Sequence, residues 1–241
     1  HYNTLAPNLY RKEKYRLQVE LLKLQEDAII NKRKIAVCFE GRDTAGKSST
    51  INFFSEHLIP SNFKYVHLGI PTDEEKANWF ERWEKYLPKK GELVLFDRSW
   101  YTRALIEPTL GYCTKTEYKK FMNKVNKWEK NLIKSDIELI KFYFSIDQDQ
   151  QKRRLSARKN SKLKYWKLSK SDQMMVDKWD LFTLYKNQMF DITSTKIAPW
   201  VVVNANNKMI ARLSALRYLL NSFDYERKKT LEPPKWGEDL G

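Results

Sequence analysis

At residues 41–48 the chain reads Gly-Arg-Asp-Thr-Ala-Gly-Lys-Ser, and this stretch decides the fold prediction. It fits the pattern G-x-x-x-x-G-K-[ST] without a mismatch. An apolar run, Lys34–Glu40, precedes it, and a helical pattern, Lys47–His57, overlaps its end. A strand, a glycine-rich turn and a helix in this order are the context that a phosphate-binding loop requires. The stretch therefore predicts a P-loop, in which backbone N–H groups and the positive end of a helix bind phosphate.

The residue types in this loop indicate its chemistry. Lys47 supplies a positive charge to the outer phosphates of a bound substrate, and the Ser48 hydroxyl can bind Mg²⁺. Asp43 is unusual, because a carboxylate inside an anion-binding loop would repel phosphate unless a cation lies between them. It makes a second contact to Mg²⁺, orients a reacting phosphate, or only stabilises the turn as an Asx residue. The residues expected around phosphate are Gly41, Thr44, Ala45, Gly46, Lys47, Ser48 and Ser49.

A second motif follows about fifty residues after the loop. Four apolar residues, Leu93–Phe96, end in Asp97, which is the pattern of a carboxylate that holds Mg²⁺ directly or through water. Arg98 comes next and is expected to contact the transferring phosphoryl group. Arg103 and Glu107 follow at helical spacing, and they either reach the site or form an i,i+4 pair on the surface.

Apolar runs that alternate with helical patterns predict the fold class. The predicted strands are nearly continuous in apolar residues, as in strands buried on both faces: Lys34–Glu40, Lys64–Leu68, Leu93–Asp97, Ile140–Ile146 and Trp200–Asn204. The predicted helices are Tyr10–Ile30, Lys47–His57, Glu74–Leu87, Thr116–Lys134 and Lys208–Phe223. This alternation favours a doubly wound α/β fold with a mainly parallel five-stranded sheet flanked by helices. Ligands of such sheets bind beyond the carboxyl ends of the strands.

The positive charge of the chain is concentrated in one segment. The formal net charge is +15, which favours a polyanionic partner. Between Asp149 and Asp172 there is no acidic residue, and this gap holds Lys152, Arg153, Arg154, Arg158, Lys159, Lys162, Lys164, Lys167 and Lys170. The segment is either a lid that closes over the phosphate loop or a solvated basic face. Its positive charge exceeds what is needed to neutralise one triphosphate, so the segment suits a long polyanion.

The composition narrows the class of protein. Charged residues make up 31% and hydrophobic residues 41%, as in globular proteins, and no apolar run is long enough for a membrane helix. The two cysteines, Cys38 and Cys113, cannot frame a disulfide-rich domain, and three histidines add too little for a His/Cys metal site. The first residues, 1–8, have no apolar signal-peptide core. These features predict a cytoplasmic protein.

Aromatic side chains receive a structural interpretation. Trp79, Trp83 and Leu87 repeat at i, i+4 and i+8, which is typical of a packing stripe on a helix. Trp166 lies within the basic segment, where it either anchors the lid or stacks on a base.

Taken together, these motifs resemble the polyphosphate kinase 2 family. The resemblance rests on Glu40–Lys47, on Trp79 with Arg82-Trp83, and on Gly91-Glu92 leading to Phe96–Tyr101. It continues through Gln151, Arg153, Arg154 and Arg158, then Trp166–Ser169, Thr193–Lys196 and Ala198–Trp200. The matching residues span most of positions 10–223.

The resemblance implies an activity and roles for residues. It implies a P-loop kinase fold of the thymidylate kinase type with a helical basic lid, Mg²⁺, and reversible phosphoryl transfer between inorganic polyphosphate and a nucleotide. Asp43, Lys47, Asp97, Arg98 and Arg158 would be catalytic, with Asp43, Ser48 and Asp97 at the metal. Arg103 and Glu107 would contact nucleotide, and Arg153, Arg154, Arg158 and Lys167 would bind the polymer. Residues 99–104 resemble members that use nucleoside diphosphates such as ADP or GDP, although Thr102 stands where that group tends to have Asn. Members are commonly homo-oligomers, so a dimer or tetramer is expected.

Two other functions remain open at this stage. An ATP-dependent nucleoside monophosphate kinase of the thymidylate kinase type shares the loop, the lid and Asp97-Arg98, but it does not need so basic a lid. A non-catalytic P-loop module that binds a polyanion would not need Asp43, Ser48 and Asp97. No specific nucleic-acid or membrane partner is expected. The predicted organisation is a single domain over residues 1–227, with the lid at about 150–172, and a C-terminal tail over 228–241.

Overall fold

A computed structural model describes residues 6–163, 165–167, 170–229 and 231–232, without the side chains of 167 and 170–173. Five parallel strands form one sheet: β1 (Lys34–Gly41), β2 (Phe63–Val66), β3 (Glu92–Asp97), β4 (Ile137–Ser145) and β5 (Trp200–Asn204). Their order in the sheet is β2-β3-β1-β4-β5. The doubly wound parallel sheet predicted from the alternating pattern is therefore confirmed.

Helices cover both faces of this sheet. The longer ones are α1 (Pro7–Ile30), α2 (Lys47–Ser55), α6 (Lys115–Lys134), α7 (Gln148–Lys159), α8 (Lys170–Asp177), α9 (Trp179–Thr193) and α10 (Lys208–Asn221). The shorter ones are α3 (Asp73–Ala77), α4 (Trp79–Glu84) and α5 (Ile106–Leu110). Single 3₁₀ turns lie at Pro60–Asn62, Trp100–Arg103 and Tyr165–Lys167.

Two hydrophobic clusters, one on each face of the sheet, form the core. One cluster joins α1, α2 and α10 through residues such as Leu17, Ile51 and Leu216. The other joins α4, α6 and α9 through Trp83, Val125 and Phe182. Because β1 lies at the centre of the sheet, its residues from Ile35 onward are buried on both sides, as its apolar sequence requires.

The strand register brings three strand ends to one edge. Phe39 of β1 is level with Asp97 of β3, and Gly41 is level with Phe144 of β4. Since all the strands are parallel, the segments that follow β1, β3 and β4 leave the sheet at this same edge. The phosphate loop, the Asp97-Arg98 turn and α7 are those segments, so the fold brings the three predicted parts of the site together.

Some element boundaries differ from the prediction. The segment 74–87, predicted as one helix, forms two short helices because Asn78 leaves helical geometry at φ −110° and ψ 57°. Trp79 and Trp83 are nevertheless buried, as the packing stripe predicts. β4 begins at Ile137 rather than Ile140, and β2 ends at Val66 rather than Leu68, where its pairing with β3 stops at Phe96.

The packed part of the chain extends beyond the predicted boundary at Arg227. Leu231 is buried in the cluster with α1, and Arg16 donates to the Glu232 carbonyl at 3.0 Å. Thr230 and residues 233–241 of the predicted tail lie outside the described residues, as do Lys164, Leu168, Ser169 and the side chains of Lys167 and Lys170 in the predicted lid. None of the helices in the described ranges is both long and apolar enough to cross a membrane.

Candidate active site

Two glycines give the phosphate loop its shape. Gly41 has φ 136°, and a Cβ atom placed there would lie 2.4 Å from the Phe144 carbonyl oxygen, so a side chain is excluded. Gly46 has φ 103° and stands directly before α2. Thr44, between them, also has a positive φ, 64°. Successive positive and negative φ values are the geometry in which backbone N–H groups converge on an anion.

Lys47 is buried at the centre of the loop. Its Nζ donates to the carbonyls of Gly41 and Arg42, both at 2.9 Å. Burial lowers the pKa of this ammonium and the nearby Arg98 charge adds to that effect, whereas Asp43, Asp97 and Glu40 oppose it. The remaining loop residues differ in exposure. Ser48 is exposed, Ala45 is buried, and the Ser49 hydroxyl donates to Gly46 at 2.9 Å.

An ion pair joins the two motifs. The Arg98 guanidinium donates to the Asp43 carboxylate, and Arg98 itself has φ 67°, which is uncommon for a residue other than glycine. Burial alone would raise the pKa of Asp43, but the charges of Arg98, Lys47 and Arg158 lower it below its usual value. The Asp43 carboxylate is therefore ionised and surrounded by cations, which places three predicted catalytic groups, Asp43, Lys47 and Arg98, in one cluster.

Asp97 lies at the end of β3 beside two aromatic residues of the neighbouring strand segment. The Tyr65 hydroxyl donates to Asp97 Oδ2 at 2.7 Å and also contacts Ser48. Burial, the hydrogen bond to Asp97 and its charge raise the pKa of Tyr65. His67 Nδ1 lies 3.2 Å from the Asp97 carbonyl oxygen. No sequence motif indicated Tyr65 or His67, although their place at the end of a strand next to β3 is where ligands of such sheets bind.

Glu40 is a further residue that the sequence analysis gave no role. It is 1% exposed, and its Oε1 accepts hydrogen bonds from the Ser99 amide at 2.7 Å and the Ser99 hydroxyl at 2.9 Å. Burial raises the pKa of this carboxyl. Its other oxygen has no hydrogen-bond partner among the described residues. Glu40 thus connects β1, just before the loop, to the turn that carries Arg98.

Arg42 points away from the loop and fixes it to α9. Its guanidinium lies 3.4 Å from the centre of the Trp179 ring and donates to the Trp179 carbonyl at 3.0 Å and to Thr183 at 2.6 Å. Burial lowers the pKa of Arg42 to about 10. Although Arg42 lies inside the loop motif, its contacts are therefore structural.

The helix α7, within the predicted lid, lies over the loop. The Gln151 side chain donates to the Asp43 carbonyl at 3.1 Å. The Arg154 guanidinium donates to three backbone carbonyls: Thr44 at 3.1 Å, Ala205 at 2.7 Å and Asn206 at 2.8 Å. Arg158 lies close enough to Asp43 to lower the pKa of that carboxyl. Arg153 lies on the exposed side of the helix. Trp166 is 68% exposed, and its indole donates to the Leu163 carbonyl at 2.9 Å within the same segment.

Arg103 and Glu107 form a buried ion pair rather than a surface pair, with Nε and Oε2 at 2.6 Å and side-chain exposures of 2% and 6%. The alternative of a surface pair is therefore wrong. The Arg103 guanidinium also lies 4.0 Å from the centre of the Trp79 ring and 3.1 Å from Glu117. Arg103 faces a cleft of about 290 Å³ whose other lining residues come from 76–81 and α6.

Comparison with known proteins identifies the family. The family model described as polyphosphate kinase 2 matches residues 4–231. A GDP-polyphosphate phosphotransferase from Mycolicibacterium smegmatis is 44% identical over 220 residues, which are 91% of this chain and 78% of that protein. An NDP-polyphosphate phosphotransferase from Ruegeria pomeroyi is 44% identical over 220 residues. These residues are 91% of this chain and 64% of that protein. The crystal structure of a polyphosphate kinase 2 from Arthrobacter aurescens superimposes with a TM-score of 0.85 at 29% identity and covers 94% of this chain and 84% of its own. With the P-loop, the Asp97-Arg98 turn and α7 assembled at one sheet edge, the match over nearly the whole chain shows that it belongs to the polyphosphate kinase 2 family.

Proposed function

We propose that this chain catalyses reversible phosphoryl transfer between inorganic polyphosphate and a nucleoside diphosphate, ADP or GDP, with Mg²⁺. The observation that carries the proposal is the cluster of Lys47, Arg98 and Asp43 at the phosphate loop, beneath the helix that bears Arg158. Cations that converge on a loop built for phosphate suit phosphoryl transfer, in which the enzyme mainly positions substrates and stabilises negative charge. The relatives named for GDP and NDP support a diphosphate acceptor.

The site offers ligands that suit Mg²⁺. Asp43, Asp97 and Ser48 present only oxygen atoms, and Tyr65 brings Ser48 and Asp97 to the same place. Among the described residues no group of three or more His, Cys, Asp or Glu side chains is placed to hold a metal alone, so phosphate oxygens of the substrates would complete the coordination. When bound there, the ion would neutralise charge on the phosphates.

The side chains of the site bind the phosphates and stabilise the charge that develops during transfer. Lys47 now donates to two loop carbonyls, and it would exchange them for phosphate oxygens when substrate enters. The terminal oxygen of the nucleoside diphosphate attacks the last phosphorus of the polyphosphate in line, a new P–O bond forms, and the P–O bond to the shortened polymer breaks. The attacking oxygen is already ionised, so no general base is needed. Arg98 and Arg158 stabilise the negative charge of the transferred group.

The lid would hold the polymer and exclude water. Gln151 and Arg154 attach α7 to the loop, which leaves Arg158 directed at the reacting phosphates and Arg153 on the outer side for the chain beyond them. Arg103, which lies beside Trp79 and lines the cleft, and its ion-pair partner Glu107 remain predicted nucleotide contacts. A homo-oligomer, dimer or tetramer, and a cytoplasmic location complete the proposal. The unpaired thiols of Cys38 and Cys113 are consistent with a reducing compartment.

ATP or GTP formation from long-chain polyphosphate, Mg²⁺ and ADP or GDP tests the proposal, with AMP as a parallel acceptor. Activity should appear only with polyphosphate and vanish in Lys47→Ala, and Arg158→Ala should slow turnover by about 10³-fold, as the loss of an arginine finger does. A reaction mixture of ATP and thymidine monophosphate is the control. Transfer in that control and not with polyphosphate would contradict the proposal.

A further inference from the structure

The outer half of α6 is a continuous lysine surface. At 100° per residue, six lysines of this helix fall within about 140° of its circumference, and only Asn and Thr share that sector with them. All six are exposed: Lys119, Lys120, Lys124, Lys127, Lys130 and Lys134. We refer to these six residues as the α6 lysine face.

The acidic residues of α6 do not neutralise this face. Glu117 turns toward Arg103 at 3.1 Å and caps the helix through Thr114, and Glu129 is buried against Lys141 at 2.9 Å. Within the described part of the chain, none of the six lysines forms an ion pair. Lys120 and Lys124, like Lys130 and Lys134, are i,i+4 neighbours of like charge, an arrangement that disfavours the helix unless an anion lies across it.

The lysine face begins at the active-site edge of the sheet. α6 is connected to β4 by only two residues and packs on it, so the helix runs antiparallel to the strands. Its first turn therefore lies at the edge where the strands end, and the ion pair between Arg103 and Glu117 ties that turn to the segment after Asp97. Twenty residues of helix extend about 30 Å from there toward the opposite edge.

We propose that the α6 lysine face binds the distal part of a long inorganic polyphosphate chain whose end is held in the active site. This inference rests on the proposed function, because it assigns a second binding surface to that same substrate. A line of cations that starts beside the site and leads away from it lets a long polymer release more counterions than a short one. The enzyme would thereby prefer long chains.

The chemistry of the face favours inorganic polyphosphate over nucleic acid. Its sector contains lysine, asparagine and threonine but no aromatic side chain, so it offers no surface on which bases could stack. Inorganic polyphosphate presents charged oxygens along its length. Lysine ammonium groups on flexible side chains can contact these oxygens without a fixed geometry.

The test compares two triple variants that remove equal charge. The first carries Lys127→Gln, Lys130→Gln and Lys134→Gln, on the half of α6 farther from the site. The control carries Lys12→Gln, Lys32→Gln and Lys229→Gln, which are exposed and lie near α1 on the other face of the sheet. Glutamine is as good a helix former as lysine, so α6 should fold normally, and circular dichroism checks this.

In the α6 variant we expect a KM for long-chain polyphosphate several-fold higher than in the wild type, with kcat, the KM for tetrapolyphosphate and the KM for ADP unchanged. Binding of long-chain polyphosphate without nucleotide should become less salt-dependent, its logarithmic slope falling by about 2 for three lost contacts. The control variant should match the wild type.

Equal shifts in both variants, a shift for tetrapolyphosphate as large as that for long chains, or no shift at all would each overturn the proposal. Weaker RNA binding with unchanged polyphosphate binding would overturn it in favour of a nucleic-acid surface. If the wild type forms no ATP from polyphosphate, the proposed function fails, and the binding measurements still decide whether the α6 lysine face holds the polymer.

Discussion

The turn that carries Arg98 depends on one buried carboxylate. Arg98 has φ 67°, a conformation that costs energy for a residue with a Cβ atom. Glu40 accepts both the amide and the hydroxyl hydrogen of Ser99, and these hydrogen bonds hold the turn in place. Because the guanidinium of Arg98 then meets Asp43, Glu40 acts on the site through its neighbours. We therefore regard Glu40 as a positioning residue.

This role predicts different effects for two substitutions of Glu40. Glu40→Ala removes the acceptor for Ser99, and we expect kcat to fall by about 10²-fold, the order that a displacement of about 1 Å at a site can cost. The KM for ADP should change little. Glu40→Gln keeps an oxygen for Ser99 and should retain most of the activity. Steady-state kinetics on both variants, with melting curves as the folding control, make the comparison. Equal losses in the two would show that the charge of Glu40 matters rather than its contact.

Motif spacing could predict Lys47, Asp43 and Asp97 but not the residues that support them. The loop pattern is local, so its residues are visible in the sequence. Glu40 lies on β1, whereas Tyr65 and His67 lie on β2 and just after it, and their importance arises only when parallel strands end side by side. Burial is equally hidden in a spacing. The four-residue interval between Arg103 and Glu107 fits a surface pair as well as the buried pair that the fold forms.

At the scale of elements, apolar periodicity located all five strands, but it left α9 unpredicted and misplaced several boundaries. Strand and helix interiors are long apolar or periodic runs, which one sequence displays clearly. The break at Asn78 has no such signal. Thr72 and Glu75 form a capping box that starts α3, and α4 restarts because Trp79 and Trp83 must both reach the core. Tertiary packing, rather than propensity, sets that boundary.

The attachment of α7 to the loop predicts that alanine substitution of Arg154, but not of its neighbour Arg153, loosens this helix. Arg154→Ala removes three hydrogen bonds to carbonyls of the loop and of the segment after β5, so α7 should detach more often. We expect a clear drop in kcat and faster hydrogen exchange in α7, because Arg158 loses its position. Arg153→Ala, one residue away on the exposed side, should leave exchange unchanged. Identical exchange in the two variants would contradict the anchoring role of Arg154.

At the scale of the whole molecule, one buried network joins β4 to the helices α6 and α9 that pack on one face of the sheet. Lys141 of β4 is 0% exposed and donates to Glu129 of α6 at 2.9 Å, to the Tyr101 hydroxyl at 3.0 Å and to the Thr193 carbonyl of α9 at 2.9 Å. The Trp100 indole donates to the other oxygen of Glu129 at 3.0 Å. With every one of these groups paired, the charges are tolerated in the interior.

Breaking this network should cost more than replacing it. Glu129→Gln leaves the Lys141 ammonium buried without its counter-charge, and we expect the free energy of unfolding to fall by about 3–5 kcal/mol. The double variant Glu129→Gln with Lys141→Met removes the uncompensated charge and should recover part of that loss. Urea unfolding of both variants measures the difference. If the double variant were less stable than Glu129→Gln, the ion pair would be a net contributor to stability.

A second long-range contact ties the first helix to the last and makes stability depend on pH. Glu13 of α1 is 3% exposed and accepts from Arg217 of α10 at 2.5 Å and from Arg16 at 2.7 Å. Burial alone would raise the pKa of Glu13, but the hydrogen bonds from these two arginines lower it below 4.5. The folded state therefore binds fewer protons at Glu13 than the unfolded state does. Its contribution to stability is fully present above about pH 4.5 and is lost as the pH falls through the lower folded-state pKa.

Glu13→Gln tests this contribution, because its amide cannot titrate. We expect the variant to be less stable than the wild type at neutral pH, since the largely buried Arg217 guanidinium then loses its interaction with the Glu13 charge. The gap between the two proteins should narrow as the pH falls below 4.5, where the wild type also loses the charge of Glu13. Melting temperatures measured from neutral to acidic pH follow this convergence. A gap that stays constant across that range would mean that packing, and not ionisation of Glu13, holds α1 against α10.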